Sequence, residues 1–425
     1  MEKKDPRYGA YVDILKEELL PAMGCTEPIA VAYAAALSRD TLGRRPERLD
    51  VNVSGNILKN VKSVVVPNTG HLRGTAAAAA AGVVAGRAEK ELEVIASVTP
   101  EQQGEIRTYL DTCPVKVGLA DSDQIFYIEV IAYAGEDSAK TVISGYHTNV
   151  VRKERNGQVI FQKEEGAEAK ESPYDSKSLL TIEGILDFAD TVDLDDVREV
   201  VQRQMDYNFA IAQEGLKGDY GANIGSVLLN HYGDDIKVKV KAYAAAGSDA
   251  RMNGCELPVV IVSGSGNQGI TASVPVITYA KEKEIPEDKM MRAVVLSDLI
   301  TVHQKSGIGR LSAYCGAVSA GAGAGAAIAY LNGGGYEEII HTVVNALAIV
   351  SGIVCDGAKA SCAAKIAAAV DAGILGYEMY RDGQQFWGGD GIVSKGVENT
   401  IQNVGRLARE GMRETDKEII QIMLG

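Results

Sequence analysis

Residues 315–330 have the sequence Cys-Gly-Ala-Val-Ser-Ala-Gly-Ala-Gly-Ala-Gly-Ala-Ala-Ile-Ala-Tyr, in which small side chains face nearly every direction of a helix. A helix without a polar stripe is buried all round, so we expect a helix over 317–330 inside a layer of helices. Glycine and alanine let neighbouring helices approach closely, and aromatic residues make up only 6% of the chain. These features predict tightly packed helices rather than a core of large aromatic side chains.

The rest of the second half also has a helical pattern. Besides 317–330, the sequence predicts helices over 179–189, 194–214, 286–304, 336–353, 362–372 and 391–409. Glycine clusters at 333–335 and 388–389 break this pattern. A polar segment at 164–178, rich in Glu, Ala, Lys and Ser, predicts a linker that precedes the helical part.

The first half mixes helices and strands. We expect two helices within 5–44, separated by Pro21 and the Gly24-Cys25 element, and an alanine-rich helix over 75–89. Valine-rich segments bounded by Asn, Gly and Pro predict strands, at 49–53, 61–66, 93–99, 115–120, 126–134, 139–151 and 158–163. An Asn156-Gly157 turn is expected before the last strand.

Together these patterns predict an α+β fold class, with a mixed α/β N-terminal domain followed by a mostly α-helical catalytic domain. We place the boundaries at 1–45 for an N-terminal helical segment, 46–165 for the α+β domain and 179–425 for the helical domain. The length of 425 residues is sufficient for two or three domains.

Charge and apolar content restrict the partners. The formal net charge is −14, so an acidic surface disfavours nucleic acid and anionic membranes, and we expect neither as a partner. No segment reaches the roughly 20 strongly apolar residues that span a bilayer. The start of the chain, Met1-Glu2-Lys3-Lys4-Asp5, lacks the apolar core of a signal peptide. We therefore expect a cytoplasmic protein with reduced thiols.

Three of the six cysteines, Cys315, Cys355 and Cys362, lie in the glycine- and alanine-rich second half. An unbroken helix would separate Cys355 from Cys362 by about 10 Å, so we expect Cys355 in a loop and Cys362 at a helix start, where the helix dipole favours an anionic centre. Three thiolates could hold a [4Fe-4S] cluster with one open iron, or a Cys₃ zinc ion with an added ligand. Three small residues buried in an alanine-rich core are the third interpretation.

Cys25 lies apart from these three, in Gly24-Cys25-Thr26-Glu27-Pro28. Pro28 suits the first turn of a helix, and Thr26 can cap that helix. A cysteine just before a helix has its thiolate form favoured, so Cys25 suits a base or a nucleophile. The alternative is a cysteine chosen for close packing beside glycine, with Glu27 as an ordinary first-turn charge.

Two glycine-rich loops carry further polar residues. Residues 263–269, Ser-Gly-Ser-Gly-Asn-Gln-Gly, match the G-x-G-x-x-G pattern, but no βαβ unit is evident and Pro275 follows closely. We expect an anion nest, in which backbone N–H groups and Ser265, Asn267 and Gln268 bind a carboxylate. The phosphate of pyridoxal phosphate and a plain flexible helix entry are the alternatives. His71, in the loop 67–74, either contacts a substrate or is an ordinary residue of a turn.

Taken together, these residues resemble the iron–sulfur L-serine dehydratase α-chain superfamily. The closest resemblance is to its L-cysteine desulfidase branch, which overlaps with uncharacterised serine-dehydratase-like proteins. The resemblance runs through nearly the whole chain and rests on three motifs together with Cys362: residues 24–28, residues 263–269, and Cys315-Gly316 with residues 355–359. The four cysteines at these spacings make it quite specific.

This resemblance implies a [4Fe-4S] cluster on Cys315, Cys355 and Cys362, with one iron open, and Cys25 as the catalytic thiol. It implies the α,β-elimination of L-cysteine, or a similar small amino acid, to hydrogen sulfide, ammonia and pyruvate. Under this hypothesis Cys25 is the base and His71 assists proton transfer. The substrate-binding residues are then Thr26, Glu27, Ser265, Asn267 and Gln268. L-serine dehydratases carry an extra C-terminal cysteine, whereas this chain ends Ile422-Met423-Leu424-Gly425, which favours the desulfidase branch.

Other functions remain open from the sequence. The same iron–sulfur chemistry suits L-serine or L-threonine as the substrate. A pyridoxal-phosphate dehydratase would use a lysine such as Lys359 or Lys305. A non-enzymatic iron–sulfur sensor is another class of protein that would need the three cysteines. Helices rich in small residues make a homodimer the expected assembly.

Overall fold

The computed structural model describes residues 1–163, 176–309 and 311–424. Most of the segment predicted as a linker, 164–178, lies outside these residues. The α+β class is confirmed, because a six-stranded sheet lies in the first part of the chain and the second part is almost wholly helical. The domain boundaries stay a prediction. No helix among the described residues combines the length and apolarity that crossing a membrane requires.

The first part contains these elements in chain order: α1 Pro6–Glu18, β1 Pro21–Met23, α2 Thr26–Leu42, β2 Arg48–Val53, α3 Gly55–Val61, α4 Gly74–Ala85, α5 Pro100–Thr112, β3 Val115–Leu119, β4 Tyr127–Ala134, β5 Asp137–Ser144, β6 Val150–Arg155 and β7 Gln158–Gln162. The second part contains α6 Ile182–Thr191, α7 Arg198–Lys217, α8 Ile224–Tyr232, α9 Ile236–Met252, β8 Pro258–Val260, α10 Gly266–Glu282, α11 Glu287–Ile308, α12 Gly316–Leu331, α13 Tyr336–Ile349, α14 Ser361–Arg381, α15 Val397–Arg406 and α16 Arg413–Leu424.

The six-stranded sheet has the order β3-β2-β4-β5-β6-β7. Strands β2 and β3 are parallel, and every other neighbouring pair is antiparallel. Along β4 the alternate residues Ile128, Val130, Ala132 and Ala134 are buried, as a strand with one covered face requires. Helix α2 covers that face and contacts β4 and β5.

Two predicted strands are wrong, and a third, 139–151, is divided into β5 and the start of β6 by a turn at 145–149. Residues 61–66 form the last residue of α3 and a loop, in which Val65 makes a single bridge to Arg73. Within 93–99, Glu93 ends a short 3₁₀ segment and the other residues lie in a turn and a loop. The valines and isoleucine that suggested strands, among them Val64, Val94 and Ile95, are fully buried in loops. Apolar composition therefore indicated burial correctly but not the backbone conformation.

The helical layer is built on small residues. Helix α12 lies among α10, α11, α13 and α14 and is buried along almost its whole length. A methyl group added at Gly325 would lie 2.6 Å from the Cα of Gly373 on α14, so the two backbones touch. The expectation of closely packed helices over 317–330 is thus confirmed. The sequence did not indicate α8, α9 or α10, the last of which contains Pro275 within its length.

A two-stranded sheet connects the start of the chain to the helical part. Strands β1 and β8 pair antiparallel, with Pro21 opposite Val260 and Met23 opposite Pro258. This pairing fixes the segment just before α2 beside the segment just before α10. It therefore brings residues 24–28 next to the glycine-rich loop 263–269.

Candidate functional site

A cavity of about 100 Å³ lies where α2, α10, α12 and the loop before α14 meet. Eight of the residues singled out from the sequence line it: Cys25, Glu27, Ser265, Asn267, Gln268, Cys315, Cys355 and Cys362. These residues come from chain segments that are up to about 340 positions apart, and the fold joins them in one place.

The three later cysteines are held together by backbone pairing. Cys315 is the residue that precedes α12, Cys355 lies in the loop between α13 and α14, and Cys362 is in the first turn of α14. The Cys315 N–H donates to the Ile353 carbonyl at 3.1 Å, and the Cys355 N–H donates to the Ala313 carbonyl at 2.6 Å. This short antiparallel pairing places the Cys315 and Cys355 side chains next to each other.

The Cys315 and Cys355 side chains influence each other's ionisation. Interaction with the Cys355 side chain, together with burial, raises the pKa of Cys315. The same interaction, with the charges of Lys59 and Lys365, lowers the pKa of Cys355. Burial is the main cause of the raised pKa of Cys362. The charges of Lys59 and Lys365 therefore give Cys355 a positively charged setting.

The donor set can be compared with the two inorganic centres that the sequence left open. Among residues 1–163, 176–309 and 311–424, no three His, Cys, Asp or Glu side chains converge as ligands of one metal ion. A single Cys₃ zinc ion therefore has no formed site there. In a [4Fe-4S] cluster each thiolate binds a different iron, so the ligands do not converge on one point. Three soft sulfur donors on one cavity wall suit such a cluster.

Cys25 occupies the N-cap position of α2 but is not a free thiolate. Its sulfur donates a hydrogen bond to Glu27 Oε2 at 3.1 Å, and its side chain is buried. Burial raises the pKa of Cys25 well above its usual value, the Glu27 charge adds to this shift, and Arg251 opposes it. The expectation that the helix start favours the thiolate is wrong here, because desolvation and a neighbouring carboxylate outweigh the helix dipole.

Glu27 is the centre of a small hydrogen-bond network. Its Oε2 also accepts from Thr26 Oγ1 at 3.1 Å, and its Oε1 accepts from Asn60 Nδ2 at 3.3 Å. Thr26 lies behind the cavity wall, where its hydroxyl is 3.0 Å from the Gly264 carbonyl. Thr26 is the first residue of α2, so it does not cap the helix as expected. The network holds the Glu27 carboxylate in contact with the Cys25 thiol.

The glycine-rich loop leads into the first turn of α10. Ser265 is its N-cap residue, and the buried atoms Asn267 Oδ1 and Gln268 Oε1 have no hydrogen-bond partner among the described residues. A methyl group at Gly316 would lie 2.6 Å from the Gln268 side chain, so only glycine lets α12 approach this turn. The strand before the loop pairs antiparallel with β1, which excludes the Rossmann arrangement at this loop.

Some cavity residues were not found from the sequence, and one predicted residue lies elsewhere. Arg251, Asn60 and His147 were not singled out and line the cavity, as does Lys305, which the sequence offered only as a lysine for pyridoxal phosphate. Arg251 is 3% exposed and directly follows the alanine-rich segment 242–250, and a charged residue at that position is a signal that the sequence offered. His71 is exposed and does not line the cavity.

Comparison with known proteins matches this chain to one family. Residues 89–421 match the family described as serine dehydratase alpha chain. A protein named UPF0597 from Desulfitobacterium hafniense is 59% identical over 424 residues, covering 100% of this chain and 98% of the relative. UPF0597 proteins from Lachnoclostridium phytofermentans and Treponema denticola are 52% and 47% identical, each covering 98% of this chain and 100% and 98% of the relatives.

Proposed function

This chain belongs to the serine dehydratase alpha chain family, and from that premise we propose that it is an L-cysteine desulfidase. The reaction is an α,β-elimination that converts L-cysteine to hydrogen sulfide, ammonia and pyruvate. The observation that carries the proposal is the meeting of two groups in one cavity. Cys25 with its carboxylate partner Glu27 lines the same cavity as Cys315, Cys355 and Cys362.

We assign Cys315, Cys355 and Cys362 as the residues that would hold a [4Fe-4S] cluster. Held by three protein thiolates, such a cluster would keep one iron open and would supply Lewis-acid stabilisation of the charge that develops on the substrate. The positive charges of Lys59 and Lys365 near Cys355 favour an assembly with net negative charge.

The chain's own residues provide the proton chemistry. In the proposed step the Cys25 proton passes first to Glu27 Oε2, 3.1 Å away, which leaves the Cys25 sulfur as a base. Cys25 then takes the α-proton, the electron pair of that C–H bond forms the Cα–Cβ double bond, and the Cβ–S bond breaks with its electrons on sulfur. The sulfur leaves as hydrogen sulfide after protonation, and aminoacrylate hydrolyses in water to pyruvate and ammonia.

L-serine and L-threonine are the alternative substrates within the same chemistry, with a hydroxyl in place of the thiol. The experiment that decides is anaerobic reconstitution with iron and sulfide, a visible spectrum, and assays of pyruvate from each amino acid. Brown protein that dithionite bleaches, and that makes pyruvate with sulfide from L-cysteine, supports the proposal. Faster turnover of L-serine would make L-serine the substrate. A brown protein that forms pyruvate from none of the three amino acids would refute the proposed elimination reaction.

Cysteine substitutions separate the roles of the four residues. Cys25→Ser is expected to keep the brown colour and lose turnover, because the serine hydroxyl is a far weaker base. Serine at Cys315, Cys355 or Cys362 is expected to lose the cluster. Cys113→Ser is the matched control, since Cys113 is free, partly exposed and outside the cavity. Loss of the cluster in Cys25→Ser would make Cys25 a ligand instead.

We further propose that the enzyme acts in the cytoplasm as a homodimer, without a nucleic-acid or membrane partner. The closely packed helices of small residues and the acidic net charge of −14 support this assignment. Analytical ultracentrifugation of the reconstituted protein measures the assembly directly, and a monomer over the working concentration range would contradict it.

A further inference from the structure

A buried arginine without a counter-ion lies in the wall of the cavity. Arg251 is 3% exposed, and its Nε donates to the Gly24 carbonyl at 2.9 Å. Among the described residues its guanidinium has no ion pair and no second hydrogen bond. Buried charges in proteins are paired or bind ligands, because removing a charge from water is costly. We therefore expect an anion to bind the guanidinium nitrogens of Arg251 that do not contact Gly24.

The surroundings of Arg251 strengthen this requirement. The guanidinium lies against the first turn of α10, where a methyl group at Gly266 would be 2.3 Å from Arg251 Nε. That turn carries unpaired N–H groups and the positive end of the helix dipole, and the N-cap Ser265 makes no side-chain cap hydrogen bond. Two positive features therefore face one cavity, which is the arrangement of an anion site. The Glu27 carboxylate lies in the same cavity but is not within ion-pair distance of Arg251 in the described residues.

Groups that attract a positive charge lie in the same turn of α10. Asn267 Oδ1 and Gln268 Oε1 are buried acceptors without a partner among the described residues. A carboxylate next to Arg251 and an ammonium next to these amide oxygens are the two charged ends of an α-amino acid.

We propose that Arg251 and the first turn of α10 bind the α-carboxylate of the substrate. Asn267 and Gln268, which the sequence pattern assigned to the carboxylate, instead accept hydrogen bonds from its α-ammonium through their buried oxygens. The site thus selects free α-amino acids over amides, esters and peptides extended at the carboxyl end. This inference rests on the proposed function for its reaction, but the binding it describes needs neither a cluster nor turnover. Arg251 acts here as a binding residue and takes no part in proton transfer.

The test is the binding of L-alanine, which has no leaving group and cannot react. Ligand-observed NMR titrations of cluster-free, reduced protein compare L-alanine with L-alaninamide, which lacks the carboxylate, and with propionate, which lacks the ammonium. A hydrogen bond to a charged group corresponds to about 10- to 100-fold in affinity. We expect wild type to bind L-alanine at least about tenfold more tightly than either analogue.

Two arginine variants test whether Arg251 causes the preference for L-alanine over L-alaninamide. Arg251→Gln is expected to bind L-alanine and L-alaninamide equally, while Arg292→Gln retains the wild-type preference. Arg292 is the matched control because it also donates to a backbone carbonyl, that of Ala189, and lies outside the cavity. An unchanged preference in Arg251→Gln, or no preference in wild type, would overturn the carboxylate assignment. Propionate binding as tightly as L-alanine would overturn the ammonium assignment.

A second measurement uses only the wild-type protein, so it tests the anion site even if Arg251→Gln does not fold. Mass spectrometry follows the alkylation of Cys25 and of the distant Cys113 by iodoacetate, an anion, and by neutral iodoacetamide. At each thiol, the rate with iodoacetate is divided by the rate with iodoacetamide, so the intrinsic reactivity of that thiol cancels. We expect this ratio to be at least about tenfold higher at Cys25, and equal ratios would refute the anion site. Absence of sulfide production in the activity assay would leave both binding results standing, so failure of the proposed function is distinguishable.

Discussion

Asp298 carries a carboxyl group in the middle of the helical layer, and its replacement by asparagine is expected to stabilise the protein at neutral pH. The residue lies on α11 and is fully buried. Its Oδ1 accepts a hydrogen bond from Gln204 Nε2 at 2.9 Å, whereas Oδ2 has no partner among the described residues. Burial raises the pKa of Asp298 from 3.8 to about 8, and the Gln204 hydrogen bond only partly offsets this.

The direction of the pH effect follows from proton binding. Below about pH 4 both the folded and the unfolded chain hold the proton, so this site contributes no pH dependence. Between about pH 4 and 8 the unfolded chain has lost the proton and the folded chain keeps it, so raising the pH favours unfolding. One pH unit corresponds to about 1.4 kcal/mol, which makes the cost about 2 kcal/mol at pH 5 and about 4 kcal/mol at pH 7.

Asparagine has nearly the same shape and does not ionise, so Asp298→Asn should remove this cost. Urea unfolding of the reduced, cluster-free protein at pH 5, 6, 7 and 8 measures the difference in the free energy of unfolding. Asp206→Asn is the matched control: Asp206 accepts from Gln202 Nε2 at 3.0 Å in a comparable amide–carboxyl pair that is exposed on α7. A stability gain that is the same at pH 5 and pH 8, or no gain at all, would refute the buried, protonated carboxyl.

Three further changes test the cavity and its support. Glu27→Gln removes the acceptor of the Cys25 proton, so kcat for L-cysteine should fall at least about tenfold with cluster absorbance unchanged; an unaltered kcat would remove Glu27 from the mechanism. Gly316→Ala places a methyl group 2.6 Å from the Gln268 side chain. This change should lower the free energy of unfolding in urea by about 1–3 kcal/mol and raise the KM for L-cysteine. Wild-type values for both quantities would contradict the close approach of Gly316 to Gln268. Lys59→Met leaves Asp416 on α16 without its buried ion-pair partner, which should lower the free energy of unfolding by about 3–5 kcal/mol. Trypsin should then cut within 413–424 sooner than in wild type. Equal cutting rates would mean that other contacts hold α16.

The sequence was sufficient where the determining chemistry is local. The Asn156-Gly157 turn predicted a hairpin, and β6 and β7 pair on either side of it. The alanine-rich segments predicted closely packed helices, and α12 is buried as expected. In both cases a short stretch contains the whole physical reason for its structure.

The sequence was insufficient where tertiary packing overrides local preference. Pro275 argued against a Rossmann βαβ unit at the glycine-rich loop, and no helix was predicted over 266–282. Helix α10 nevertheless contains Pro275, because a helix buried among its neighbours tolerates one missing backbone donor. The same limit explains the protonation of Cys25. Its position before α2 could be seen in the sequence, but the burial and the contact with Glu27 that raise its pKa depend on the folded chain.

The cavity depends on two backbone pairings that are too short to give a sequence pattern. Strands β1 and β8 have three residues each, and the pairing of 313–315 with 353–355 is a single bridge between Tyr314 and Val354. The first pairing brings Cys25 to the anion-binding turn of α10, and the second brings Cys315 to Cys355. A third contact, from Lys59 Nζ to the Cys355 carbonyl at 3.2 Å, ties the first part of the chain to the same loop. Since each pairing joins segments distant in sequence, the proposed base, the carboxylate site and the sulfur ligands form one site only in the completely folded chain.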